Sequence, residues 1–220
     1  MVRKAVSKFA RAQTGLALIE FAFILPLLLF LLLSSVELLR YLRLERQVTL
    51  AASSIAAMIA QRQVGDSRLL NFEFDALQVH FPASAVDKGF GFYNNVGIQA
   101  TSIVFAPEVP GCLKNCYYLG YVAWVWPRYV VGPGIDHMLR HCETIGIGTA
   151  SNTIPDSLFG PGSIIVVDLS YNFVPLFGSK FIPGIKFYRS GYANARFATP
   201  YVTVPATDWE GNKVYCPGFG

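Results

Sequence analysis

Four cysteines and two neighbouring histidines are the side chains of this sequence best suited to metal binding or covalent chemistry. His137 and His141 are spaced so that a helix would place both imidazoles on one face, beside Cys142. That pattern describes a candidate metal site. The other cysteines are Cys112, Cys116 and Cys216. An even number of cysteines in an oxidising compartment predicts disulfides instead.

Disulfides are the better interpretation of these cysteines. The histidine segment lacks the His-Glu-x-x-His order of a zinc helix, and the Gly-Pro-Gly sequence at 132–134 weakens a helix there. Three pairings of the four cysteines are open. We favour Cys112 with Cys116, closing a small loop, and Cys142 with Cys216, tying down the C-terminal tail. We therefore expect two disulfides, no metal and no cofactor.

Motifs of the common catalytic classes do not occur in the sequence. It has no Gly-x-Ser-x-Gly elbow, no phosphate-binding glycine loop and no close pair of acids with a plausible base. The short glycine pairs at 89–91 and 132–134 are typical of turns. We expect the protein not to be an enzyme.

Positive charge is concentrated at the N-terminus. The basic residues before position 15 are Arg3, Lys4, Lys8 and Arg11. Subtracting these four from the 18 basic residues leaves 14, equal to the 14 acidic residues, all of which follow. Because binding to nucleic acid needs a concentrated basic face elsewhere on the chain, we expect no nucleic-acid partner.

An apolar run follows this basic leader, and Glu20 is the only charged residue between Leu16 and Leu33. A helix of about 20 apolar residues crosses a bilayer, and the leader marks its cytoplasmic end. A cleaved signal peptide is the competing interpretation, but residues 34–39 offer no small-x-small cleavage site. A carboxylate in such a helix costs roughly 2.5 kcal/mol or more without a partner, so Glu20 requires an explanation.

The leader, the glycine, the acid five residues later and the apolar helix resemble type IV pilin-like precursors. The match is to TadE-like pseudopilins of the tight-adherence (Tad) pilus, through the string Gly15-Leu-Ala-Leu-Ile-Glu20-Phe21-Ala-Phe-Ile-Leu-Pro26-Leu-Leu-Leu. Residues 166–171 and 193–196 resemble the closing strands of that family more weakly. The major pilins carry tyrosine after the glutamate, so Phe21 places this chain among the minor, TadE or TadF type subunits.

The resemblance implies a processing event and a set of partners. A prepilin peptidase would cut after Gly15 and leave Leu16 as the new N-terminus. The freed ammonium of Leu16 would meet Glu20 of a neighbouring subunit, with Phe21 beside it in the assembly motif. The partners implied are inner membrane lipid, the peptidase, other pilins or pseudopilins and the pilus assembly platform.

The rest of the sequence predicts an α+β fold: a long N-terminal transmembrane and stalk helix, then an antiparallel β-sheet head of pilin type. The apolar stripe of the stalk is Tyr41, Leu44, Val48, Ala52, Ile55 and Ile59. Two separate helices meeting at Ser34-Ser35 are the alternative. A short helix is expected at 69–79. The candidate strands are Val96 to Phe105, Tyr118 to Trp126, Ser163 to Val174 and Gly191 to Thr199. Trp124 and Trp126 should share one face of the sheet.

These expectations give a domain plan and two functional hypotheses. The plan is a cytoplasmic leader at 1–15, a membrane span at 16–39, a stalk at 40–64 and a head outside the membrane at 65–220. The first hypothesis is a minor pseudopilin that starts, caps or decorates a Tad pilus and serves adherence, held in the bacterial inner membrane with its head in the periplasm or at the cell surface. The second is an anchored periplasmic binding domain that never enters a filament.

Overall fold

The architecture in a computed structural model is α+β, as predicted, with a long helix followed by an antiparallel sheet. The structure describes residues 13–61, 96–126, 140–150, 152–177, 179, 183–195 and 215–219. The leader up to residue 12 and the short helix predicted at 69–79 lie outside these ranges.

The helix α1 (Gln13–Ala60) contains 48 residues and is about 72 Å long at 1.5 Å per residue. It continues through Pro26 and both serines, so the alternative of two helices is wrong. Ser35 fits because its hydroxyl donates to the Leu32 carbonyl at 2.7 Å, within the same helix. The helix ends four residues before the predicted stalk end at 64, and the stop signal expected at 65–67 is outside the described residues.

Burial along α1 changes once, near its middle. Every side chain from 19 to 32 is exposed, although nearly all are apolar. From Tyr41 onward the predicted stripe turns inward: Val48, Ala52, Ile55 and Ile59 are fully buried, and Tyr41 and Leu44 pack against them. The apolar stripe predicted from the spacing of these residues is therefore confirmed as far as Ile59, and the exposed half is a different kind of surface.

Five strands are described, and they form one antiparallel sheet in the order β3-β2-β1-β4-β5. Their bounds are β1 Val96–Pro107, β2 Tyr118–Trp126, β3 Thr144–Ile145, β4 Gly162–Phe173 and β5 Ile185–Asn194. The first, second and fourth lie within two residues of the prediction. The predicted strand at 191–199 begins six residues too late, and β3 was not predicted.

The sheet is buried on both faces. One face packs on α1 and carries Trp124 and Trp126, which share a face as predicted, together with Ile165, Val167 and Leu169. The other face forms a second apolar cluster, which includes Ile103, Val122, Ile145, Ile154, Ile164 and Val166. Because alternate residues of β4 point to different cores, its sequence is a continuous apolar run rather than an alternating one.

Gly191 in β5 sets how closely the sheet approaches α1. A Cβ at this position would collide with the backbone carbonyl group of Ala52 and the amide nitrogen of Ser53. Helix backbone and strand backbone meet here with no side chain between them, so glycine is required by contact. Beside it, Arg189 of β5 forms a salt bridge with Glu45 of α1.

Candidate functional site

Glu20 lies on the exposed, apolar half of α1. Gly15 and Leu16 are in the same helix, with Leu16 about one turn before Glu20. The Glu20 side chain is exposed and its neighbour Phe21 is 58% exposed. No described residue makes a salt bridge or hydrogen bond to Glu20. Its carboxylate is therefore presented outward, in the part of the helix least able to solvate a charge.

A second acid of α1, Glu37, joins the helix to the connection between β4 and β5. Its Oε1 accepts hydrogen bonds from the backbone N–H groups of Leu176 and Phe177, at 2.8 and 3.0 Å. Its Oε2 lies 3.1 Å from Nη1 of Arg40, one helical turn later. Sequence reasoning missed this residue, although an acid directly after an apolar span was the available signal.

Aromatic contacts tie the end of β4 to the same part of α1. Phe173, the last residue of β4, makes an edge-on contact with Tyr41 at a centroid distance of 5.6 Å. The guanidinium carbon of Arg40 lies 5.8 Å from the centroid of the Phe173 ring. The base of the sheet is thereby held level with residues 37–41 of the helix.

An apolar groove of about 720 Å³ opens between α1 and the β4–β5 connection. It is lined by Phe30, Leu33, Ser34, Glu37, Leu38, Tyr41, Phe173, Pro175, Phe177 and Ile185. Most of these side chains are hydrocarbon, and the carboxylate of Glu37 is already bonded to the connection. The groove suits an apolar occupant.

A buried ion pair lies on the sheet face away from α1. Arg140 Nε is 2.7 Å from Asp168 Oδ2, and neither side chain has solvent exposure. Ser190 Oγ donates to Asp168 Oδ1 at 2.5 Å, and the Arg140 backbone N–H donates to Gln99 Oε1 at 3.1 Å. Desolvation raises the pKa of Asp168, and the attraction and hydrogen bonds of Arg140 and Ser190 offset only part of the rise.

The role of this ion pair is structural, because neither side chain is accessible to water. Both guanidinium Nη atoms of Arg140 also donate to the Thr153 carbonyl at 3.3 Å. The described parts of the segment from 140 to 154 are thus bonded to Gln99 of β1 and Asp168 of β4, and Asp168 is bonded in turn to Ser190 of β5. Neither partner was predicted from the sequence, although Asp168, a lone acid inside an apolar strand, was a recognisable signal for a buried partner.

The cysteines pair as favoured from the sequence. Cys112 and Cys116 have an S–S distance of 2.05 Å, and Cys142 and Cys216 one of 2.10 Å. The sulfur of Cys142 is therefore not a thiolate ligand. His141 is exposed in a non-helical stretch, which contradicts the idea of a shared helical face, and His137 is outside the described residues. Among the residues described, no group of three histidines, cysteines or acids could hold a metal.

One helix of the described chain, from Ile19 to Ala60, is long and apolar enough to cross a membrane. Its most apolar stretch is not buried by the rest of the protein. The family model described as TadE-like protein matches residues 15–57. This segment is TadE-like. No curated protein and no solved structure matches the chain.

The TadE-like segment, residues 15–57, contains the expected processing and assembly residues and also Glu37. It indicates a membrane protein associated with the Tad pilus, anchored by the exposed half of α1. TadE-like pilus proteins are structural components. The two disulfides, the buried ion pair and all five described strands lie beyond the TadE-like segment.

Proposed function

We propose that this protein is a minor pseudopilin of a Tad-type pilus, which starts, caps or decorates the filament and serves surface adherence. Residues 1–15 would be a cytoplasmic leader, 16–39 the inner membrane span, 40–64 the stalk and 65–220 a head on the periplasmic side. A prepilin peptidase would remove the leader after Gly15.

The main support for this proposal is the position of Glu20 in the exposed half of α1. Within the exposed half of the TadE-like segment, it is the only charged side chain from position 19 to position 36. Burying it alone in lipid costs roughly 2.5 kcal/mol or more. The α-ammonium of a processed Leu16 on a neighbouring subunit is a cation at the same depth, and mutual neutralisation offsets this cost. The unprocessed chain has no such amine at that position.

The two disulfides support a head on the periplasmic side. Disulfides form and persist in oxidising compartments such as the bacterial periplasm and are rare in the cytosol. Both bonds join residues of the predicted head. The four basic residues of the leader favour the opposite, cytoplasmic side for the N-terminus.

The first test separates processing from assembly. Gly15→Leu should block the peptidase, so the full-length mass persists, whereas Glu20→Gln should be processed normally yet fail to assemble, because its neutral amide cannot pair with the amine. Glu20→Asp, which keeps the charge, is the matched control and should retain part of the assembly. The readouts are intact mass of membrane-extracted protein, sheared pilus yield and adherence.

Two results would overturn the proposal. The first is a wild-type protein that keeps residues 1–15 in its mature form, which is what an anchored periplasmic binding domain predicts. The second is normal pilus assembly and adherence by both Gly15→Leu and Glu20→Gln.

A further inference from the structure

An exposed apolar surface lies at the base of the sheet, where β4 ends and β5 begins. Leu176, Phe177 and Ile185 are 56%, 47% and 45% exposed. Pro175, Phe177 and Ile185 form one wall of the groove against α1. We call Leu176, Phe177 and Ile185 the basal patch. Large apolar side chains exposed together are typical of an interaction site.

Two hydrogen bonds and an aromatic contact fix the depth of the basal patch along α1. Glu37 holds the backbone of Leu176 and Phe177, and Tyr41 holds Phe173. A bilayer core about 30 Å thick is crossed by about 20 helical residues, so a span that starts at 16 reaches the outer surface of the hydrocarbon near residue 36. The basal patch therefore lies at the level where the hydrocarbon ends.

The groove is continuous with the lipid-facing surface of α1. Its lower wall contains Phe30 and Leu33, which belong to the membrane span, and its other wall contains Phe177 and Ile185. The polar residues of the lining are Ser34 and Glu37, and the Glu37 carboxylate is already bonded, so acyl chains that surround Phe30 can extend along the apolar surface into the groove. Arg40, which also pairs with Glu37, and Lys186, the residue after Ile185, place positive charge just beyond this level, where phospholipid head groups are expected.

We propose that the basal patch is a second membrane contact, which seats the head on the outer leaflet of the bilayer with phospholipid acyl chains in the groove. The head then has a fixed height and tilt before any filament forms. This inference rests on membrane anchoring by α1 and is independent of leader cleavage and pilus assembly. A second copy of the chain is the competing occupant of the same surface.

The test uses single added cysteines in the full chain, labelled with the fluorophore NBD without reductant, so that the native disulfides persist. The protein is reconstituted in phosphatidylcholine–phosphatidylglycerol vesicles. Phe177→Cys and Ile185→Cys report on the basal patch. Leu29→Cys, in the exposed apolar half of α1, reports on membrane insertion itself. Quenching is measured with doxyl-labelled lipids and with aqueous iodide.

Ile147→Cys is the matched control, because Ile147 is also an exposed aliphatic side chain, at 60%. It lies near the opposite end of the sheet: β3 pairs with Gly120, Gly120 with Phe105, and Phe105 with Gly162 at the start of β4. An NBD group that simply prefers lipid would behave alike at 147 and at 177. The control therefore distinguishes the effect of the labelled position from the preference of the NBD group for lipid.

Labels at 177 and 185 should be quenched several-fold more by doxyl lipid than the label at 147, and several-fold less by iodide. These values should not change when the protein is diluted to one copy per vesicle. Iodide quenching at 177 equal to that at 147, with the label at 29 still in lipid, would refute the basal contact and leave the anchor intact. Protection that disappears on dilution would assign the surface to a second copy.

Discussion

Three carboxylates lie in apolar surroundings, and the negative charge of each is accommodated in a different way. Asp168 is paired inside the protein with Arg140, two fully buried charges that neutralise one another. Glu37 is bonded to two backbone N–H groups and to Arg40 at the base of the head. Glu20 has no partner among the described residues, and it lies in the TadE-like segment. Glu20, which has no partner in the described part of the chain, is the carboxylate proposed to bind a neighbouring subunit.

The raised pKa of Asp168 predicts a particular pH dependence of stability. Because the folded protein holds this proton more tightly than the unfolded chain, the contribution is complete below the ordinary value of 3.8 and is lost as the pH rises through the raised value. Replacing Asp168 with Asn should remove this slope, which can reach about 1.4 kcal/mol per pH unit. The free energy of unfolding in detergent, wild type minus variant, should therefore fall as the pH rises from 4. A difference that increases over that range would mean that the pairing with Arg140 dominates.

Some of these residues could be predicted from the sequence and others could not. Glu20 was recognisable because a charge interrupts an apolar run beside a glycine at a known spacing. Asp168 interrupts an apolar strand in the same way, yet its partner Arg140 is 28 residues distant and has no pattern of its own. Only the fold brings them together. The same holds for Glu37, whose partners are backbone groups 139 and 140 residues away.

At the scale of elements, the long helix and the main strands could be predicted from the periodicity of apolar residues. The wrong predictions concern strands that depend on pairing with a neighbouring strand. The stalk stripe repeats every three or four residues and is buried as predicted. The early half of β5, Ile185 to Ser190, alternates poorly, and its strand state comes from pairing with β4, Ile185 opposite Phe173. The two-residue β3 exists only because the edge of β2 is available beside it. Such strands are specified by neighbours and not by local sequence.

The close approach at Gly191 gives a test of helix docking. Gly191→Ala should destabilise the head by about 1–3 kcal/mol, because the new methyl group would force α1 away from β5. The measurement is thermal unfolding of the full chain in detergent, followed by tryptophan fluorescence, since Trp124 and Trp126 lie in that interface. Gly160→Ala is the control, because a Cβ there has nothing within 4 Å. Equal stability of the two variants would contradict the docking geometry.

At the scale of the whole molecule, the two disulfides close loops of very different length. Cys112 and Cys116 are separated by 4 positions, within the turn between β1 and β2. Cys142 and Cys216 are separated by 74, and the loop they close contains β3, β4 and β5. Cys216 is also held by its backbone N–H, which donates to the Ala123 carbonyl at 2.9 Å.

Loss of the two bonds should therefore have unequal effects. The double variant Cys142→Ser/Cys216→Ser should lose about 4 kcal/mol of unfolding free energy, and Cys112→Ser/Cys116→Ser about 2 kcal/mol, because a longer closed loop restricts the unfolded chain more. Chemical unfolding of both variants in the same detergent gives the comparison. Equal losses would show that the long loop is already restricted in the unfolded state.

The position of Cys216 also imposes an order of events. Every described strand precedes it in the chain, so in the proposed orientation its bond to Cys142 can close only after the five described strands have crossed the membrane and the two thiols have met an oxidant. A molecule stalled during export, or inserted in the wrong orientation, would keep both thiols reduced. With the proposed topology, the long-range disulfide is therefore expected only in molecules whose head has been exported completely.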